Sequence, residues 1–365
     1  MAKMMFDLQS FPLMANIAIF ATGAVIIWFA GSRIARYADQ ISRQTGLGSA
    51  FVGLLLLALA TEMPEVATTI TAAITGNAPL AVNNLFGGVV TQTMMLAVAD
   101  VFLARNALTF FTPNPALMLQ GEMLIFLLGL AASLMLIGEY LVFMQVGLWP
   151  LVLLLFYIST LYLVHRYEKH GQNWQATNVP DFVIDAGNEN QREGTTGPQN
   201  SQDAVDETPS LQKTILRFAG VSLIILVAGF FLVRAADALA VQTGLGANFI
   251  GASLLAVSTS LPELSTTIAA VRLGNHGLAV SNIFGSNAIM IALLFFTDLF
   301  YREGPIFNTF QASALFAALM GIVVTAVYLV GLTERLNRTV LRMGIDSFAV
   351  LILYLLSLVG LYLLR

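Results

Sequence analysis

Long apolar runs separated by short polar breaks recur along the whole chain, at about 13–36, 47–75, 78–103, 116–137, 139–164, 214–236, 245–273, 276–301, 309–332 and 344–364. A helix needs roughly 20 apolar residues to cross a bilayer, so the pattern predicts ten crossings. Five lie before the polar stretch 165–213 and five after it. Continuous runs such as Ala116–Ile137 do not show the alternation of a membrane β-barrel strand. The expected fold is an all-α integral membrane protein. Its expected domains are 1–164, a hydrophilic flexible linker at 165–213, and 214–365.

Composition sharpens this picture. Only 10% of the residues are charged, against roughly 25% in soluble domains. Twelve of the 38 charged residues lie in 165–213, leaving 26 for the other 316 residues. That is too few to cover a water-facing surface, which excludes a soluble two-domain enzyme. The chain has no cysteine, so disulfides and thiolate metal sites are excluded. A net charge of −4 gives no sign of nucleic-acid binding. Lys3 precedes a first run that begins at Phe11 and opens into a full span, with no clear small-residue cleavage site, so no removable signal peptide is expected. Thirteen of the 17 basic residues fall in connections on the side of the 165–213 linker, Arg335, Arg338 and Arg342 among them. The positive-inside rule makes that side cytoplasmic and puts both termini outside.

The chain also repeats itself. Shifted by 198 residues, Arg36–Phe102 lies on Arg234–Phe300 without a gap, and 31 of the 67 pairs are identical. The matches include Thr61, Pro64, Glu65 and Asn84 with Thr259, Pro262, Glu263 and Asn282, and Asp100 with Asp298. Each half has five spans, an odd number, so the second copy is expected to lie inverted in the membrane. Inverted repeats are the architecture of secondary transporters, which bind substrate near the midplane where the copies meet.

The centres of the copies read Ala60-Thr61-Glu62-Met63-Pro64-Glu65 and Ser258-Thr259-Ser260-Leu261-Pro262-Glu263. Proline donates no amide hydrogen and crowds the preceding turn, which predicts a broken helix with released carbonyls at the midplane of each half. A glutamate at mid-span is costly and marks an ion pathway. Together with Thr61 and Thr259, Glu65 and Glu263 form a set of hard oxygen donors suited to a cation such as calcium. Proline alone is often only a kink, and the threonines could simply bond back to their own helices. Gly76-Asn77 and Gly274-Asn275 read as helix ends, and Asp100 and Asp298 as caps or interfacial anchors.

At these motifs the sequence resembles the cation/calcium exchanger superfamily, most of all the prokaryotic sodium/calcium exchangers, over essentially the whole chain. The second copy carries the family pattern in Thr259-Ser260-Leu261-Pro262-Glu263 and Gly285-Ser286-Asn287. The resemblance implies that Glu65 and Glu263 bind calcium or sodium and that Thr61 and Thr259 give oxygens to calcium. It further implies that the carbonyls of Ala58 and Ala256 and the hydroxyls of Ser260 and Ser286 coordinate sodium. Glu62, Gly88, Val89, Gln92 and Met290 depart from the family's serine, serine, asparagine, asparagine and aspartate. Gln92 would stand in as a polar ligand. Glu62, three residues from Glu65 and able to share its helix face, would replace the acid lost at Met290, as a ligand or as a proton carrier. Two carboxylates that close disfavour simultaneous ionisation.

The function expected is calcium/sodium antiport by alternating access in a cell membrane, with the cations as cargo and no cofactor. Proton coupling, or magnesium or manganese as cargo, is the alternative within the same fold. An intramembrane hydrolase built on Glu62 and Glu65 would lack a nucleophile motif, and a channel would not need two inverted copies. The bilayer and inorganic cations are the expected partners, and no oligomeric state is implied.

Overall fold

The computed structural model describes residues 8–103, 107–112, 114–143, 146–169, 210–243 and 251–364. Among these, eight helices are long and apolar enough to cross a membrane, or nine if one bent pair counts as a span. Of the expected run 245–273 the described part, Gly251–Arg272, is not among them. This helix carries Ser258, Thr259, Ser260, Glu263, Ser265, Thr266 and Thr267, the polar residues that line the interior.

Helix α1 (Leu13–Thr45) opens the chain. A composite helix follows, made of α2 (Ser49–Val52), a π-helical turn at Gly53–Leu57, α3 (Ala58–Thr61) and α4 (Met63–Ile74). Next come α5 (Ala78–Asp100), α6 (Pro115–Ile137), a two-stranded hairpin of β1 (Val142–Phe143) and β2 (Val146–Gly147), and α7 (Leu148–Lys169). The second half runs through α8 (Leu211–Thr243), α9 (Gly251–Arg272), α10 (His276–Phe300) and α11 (Ala312–Glu334). It ends in a hairpin of β3 (Thr339–Val340) and β4 (Met343–Gly344), then α12 (Ile345–Leu363). The bounds of α1 and α8 differ by 198 at both ends, the offset of the sequence repeat. Residues 170–209 of the expected linker, and Gly244-Leu245-Gly246 of the repeat, lie outside the described residues.

One helix boundary differs from the apolar pattern. The run 139–164 is not one helix, because Gly138 ends α6 with a left-handed φ of 77° and the β1–β2 hairpin precedes α7. The Glu139 carboxylate holds this corner, accepting the N–H groups of Leu141 at 3.0 Å and Trp149 at 2.9 Å. Its counterpart in register, β3–β4, connects α11 to α12. As expected, Gly76 and Gly274 are left-handed at the helix ends, both at φ 75°. The following Asn77 and Asn275 cap α5 and α10 by accepting the N–H groups of Leu80 and Leu278.

Helix α10 forms the centre, with every residue from Leu278 to Leu294 buried. By contrast α1, α8 and α12 leave most of their apolar surface exposed, as lipid-facing helices do. The halves are also fastened reciprocally at their ends. Asp100 accepts Leu108 N–H and, from the other half, Gly344 N–H, both at 2.7 Å. Asp298 accepts Ile306 N–H and, from the other half, Gly147 N–H, both at 2.6 Å. The two aspartates are caps, each joining a loop of its own half to the other half's hairpin.

Candidate cation-binding site

The broken helix of the first half brings the acids to the centre. Proline 64 offers no N–H to the Ala60 carbonyl, and the chain bends by 54° between Thr61 and Met63. Glu62 stands at the break, closing α3 and opening α4, with φ −74° and ψ −5°. Glu65 sits in the first turn of α4, where the positive end of the helix dipole favours a carboxylate. The π turn just upstream lies against α10. A side chain on Gly285 would place its Cβ 2.5 Å from the Leu54 carbonyl oxygen, so only glycine lets the two backbones meet. Helix α9, by contrast, is continuous through Pro262, and the second break expected from the repeat is not present among the described residues.

Glu62, Glu65 and Glu263 converge, each offering one carboxylate oxygen within 4.8 Å of the others. They are 0%, 1% and 0% exposed. Gln92 Nε2 donates to Glu62 Oε1 at 2.5 Å, and Ser286 lies beside that carboxyl group. Threonines cross between the halves, with Thr259 beside Glu65 and Thr61 beside Glu263. Both oxygens of Glu65, both of Glu263 and Oε2 of Glu62 nonetheless accept no hydrogen bond among the described residues. No lysine or arginine reaches them either, since the ion pair among the described residues, Arg43–Asp39, lies at the end of α1. A buried carboxylate without a donor or counter-charge is costly by several kcal/mol or more. Three carboxylate oxygens drawn together in this way, with threonine hydroxyls beside two of the acids, fit a hard cation.

The remaining predicted ligands divide. The Ala58 carbonyl is already used, accepting Glu62 N–H at 2.9 Å and the Thr61 hydroxyl at 3.1 Å, the local back-bond that threonine favours in helices. Ser260 is buried on α9, but no hydrogen bond joins it to the three carboxylates. Ala256 also stands on α9, with its side chain outside the described set. Two polar residues outside the predicted set sit one position further along the helices that carry Gln92 and Ser286. Asn287 Nδ2 donates to Thr93 Oγ1 at 3.0 Å, tying α10 to α5, and both side chains are fully buried. Adjacent polar pairs at mid-span, Gln92-Thr93 and Ser286-Asn287, were the available signal.

Two departures from the family pattern explain each other. A Cβ on Gly88 would stand 2.4 Å from Met290 Cε and 2.8 Å from its Sδ. The thioether that takes the place of one acid fills the space that a serine at 88 would need.

The family profile described as "Sodium/calcium exchanger protein" matches residues 15–166 and 213–363. The chain belongs to that family. It is 26% identical over 280 residues to the putative antiporter CaxA of Alkalimonas amylolytica, covering 76% of this chain and 78% of CaxA. It is 24% identical over 278 residues to the inner membrane protein YrbG of Escherichia coli K12, covering 76% and 77%. A shorter stretch of 118 residues is 32% identical to the sodium/calcium exchanger MaX1 of Methanosarcina acetivorans, covering 31% and 33%. Among solved structures, the sodium-calcium exchanger NCX_Mj superposes with a TM-score of 0.69 over 96% of this chain and 99% of its own, at 16% identity. At that identity the superposition speaks for the fold, a multi-pass helical membrane protein.

Proposed function

We propose that this family member is a calcium antiporter of the cell membrane that works by alternating access, with sodium as counter-ion. Calcium binds between Glu65 and Glu263, which neutralise it, and Thr61 and Thr259 complete the cradle from opposite halves. Sodium ions compete for the same carboxylates and for Ser260, Ser286, Gln92 and the carbonyl of Ala256, and for that of Ala58 once the Thr61 hydroxyl turns from it to the cation, so either cargo displaces the other. The observation that carries this reading is the meeting of three buried carboxylates that have no basic side chain within 4.0 Å among the described residues. Bare charge does not cross hydrocarbon cheaply, so the barrier is passed only in the loaded state. We read the chain as two inverted five-helix halves, with the 165–213 linker cytoplasmic and both termini outside. Support for α1 and α8 as the moving elements comes from Gly31 and Gly229, equivalent residues that press on Ser265 and Pro64 of the opposite half.

Glu62 favours a second reading of the counter-ion. Three carboxylates carry one negative charge more than a calcium ion neutralises, and a proton on Glu62 would balance it. Flux of radioactive calcium into proteoliposomes, driven by a sodium gradient at equal pH or by a pH gradient without sodium, tests both. Uptake with sodium alone supports the first reading and uptake with pH alone the second. Uptake with neither gradient, or none under both, would sink calcium antiport.

A further inference from the structure

At one membrane face, where α11 passes through the β3–β4 hairpin into α12, a cavity of about 270 Å³ opens. Its walls hold a base, Arg338, two acids, Glu334 and Asp346, and the hydroxyl residue Thr109. Arg338 and the acids line the same space yet form no ion pair within 4.0 Å, since the pair found among the described residues is Arg43–Asp39. Asp346 Oδ2 and Thr109 Oγ1 are both buried and have no hydrogen-bond partner among the described residues. Thr109 is 1% exposed, so its orphaned oxygen is a feature of the interior wall. The rest of the lining is apolar and turned outward, with Val330, Leu336 and Ile345 each about half exposed. Because α11 and α12 are both long enough to span, the hairpin between them lies where acyl chains give way to headgroups.

We propose that this cavity binds the headgroup of phosphatidylethanolamine, with the phosphate on Arg338 and the ammonium on Asp346. An arginine pairs well with phosphate, and a primary ammonium offers three N–H donors, which meets the unpaired Asp346 oxygen. A choline headgroup has the same charges but no N–H to give. A glycerol headgroup has no cation for the acids and would bring its phosphate beside Glu334 and Asp346 without compensation. The apolar wall receives the start of the acyl chains. The equivalent corner at the other end has no such opening for a ligand, because both Glu139 oxygens are taken by backbone N–H groups and the described part of β1–β2 carries no basic residue.

The inference does not depend on which cation is carried, and its test reads lipid rather than flux. The full chain is purified into detergent with an equimolar mixture of dioleoyl phosphatidylethanolamine, phosphatidylcholine and phosphatidylglycerol, and retained lipid is measured by native mass spectrometry. Phosphatidylethanolamine should be retained over each of the others by about tenfold or more. Asp346→Asn and Arg338→Gln should each bring that ratio close to one. Arg338 is exposed, so its variant keeps the test alive where Asp346→Asn fails to fold. Equal retention of the three lipids overturns the proposal, as does preference for phosphatidylglycerol or undiminished selectivity in the Arg338 variant.

Discussion

Thr61-Glu62-Met63-Pro64-Glu65 and Thr259-Ser260-Leu261-Pro262-Glu263 share their proline and their glutamate, but only the first helix breaks. Proline is therefore not sufficient for a break here. What differs is the residue two before it and what surrounds it. Glu62 is drawn out of the helix line by Gln92 at 2.5 Å, and the turn upstream is squeezed into π geometry against Gly285. In the second copy the matching residue is Ser260 and the residue matching Gln92 is Met290, so the carboxylate–amide bond of the first copy has no equivalent. π turns within α-helices are frequent at functional sites, and this one lies directly before the acids. The two copies thus bring equivalent glutamates to one point by different backbones.

The strongest test of that convergence is to remove one charge at a time. Glu65→Gln and Glu263→Gln should each lower calcium flux in proteoliposomes by at least about 100-fold, since a lost tenfold corresponds to about 1.4 kcal/mol and each removes a charged ligand. Near-normal flux in either variant would break the assignment of a shared site. Unequal losses would show that the broken and unbroken helices do not hold the cation equally.

A second prediction uses the glycines at 87 and 285, equivalent in the repeat but not in their surroundings. A Cβ at 285 collides with the backbone of Leu54, whereas a Cβ at 87 meets nothing within 4 Å. Gly285→Ala should destabilise the protein by about 1–3 kcal/mol, the usual cost of overpacking. Gly87→Ala should leave the melting temperature in detergent nearly unchanged. Equal effects would mean that the π turn does not depend on the close approach.

Next in size are Asp100→Asn and Asp298→Asn. Each loses charge-assisted bonds to two backbone N–H groups, one of them from the other half. About 1–3 kcal/mol is expected for each, by thermal unfolding. A larger loss for one of them would identify the end at which the halves are more dependent on each other.

How far these features were legible in the sequence follows from their range. Helix positions and the Gly-Asn caps depend on local patterns, and the repeat offset of 198 recurs in α1 and α8 to the residue. The meeting of Glu65 and Glu263 was legible because the repeat puts the same acid at mid-span in each half. The unbroken α9 was not, since both copies carry the same proline and the sequence alone does not say which helix it breaks. Asp100 and Asp298 were read as caps or anchors, but their partners in the other half escaped, because Asp100 and Gly344 are brought together by packing between halves and share no local pattern. The hairpin at 142–147 escaped for a different reason. Its residues are as apolar as those of a span, and the corner is made by Gly138 and by hydrogen bonds of Glu139 that hydropathy does not record.

The smallest expected effect concerns Gly88 and Met290, where the halves differ in chemistry more than in shape. Gly88→Ser alone forces the Met290 methyl aside; because that methyl ends a flexible chain, the stability cost should stay below about 1 kcal/mol. Met290→Asp alone adds an acid beside Gly88 with no hydroxyl there to share a cation, and should lower flux. Together the two changes restore a hydroxyl and an acid at the positions where the family pattern has them, and the space opened by one receives the other. Residues in contact couple by about 0.5–3 kcal/mol, so the double variant should be more active in sodium-driven uptake than the two single effects predict. Strict additivity would mean that the thioether and the missing side chain at 88 are unrelated, and that Glu62 alone accounts for how this site differs from its second copy.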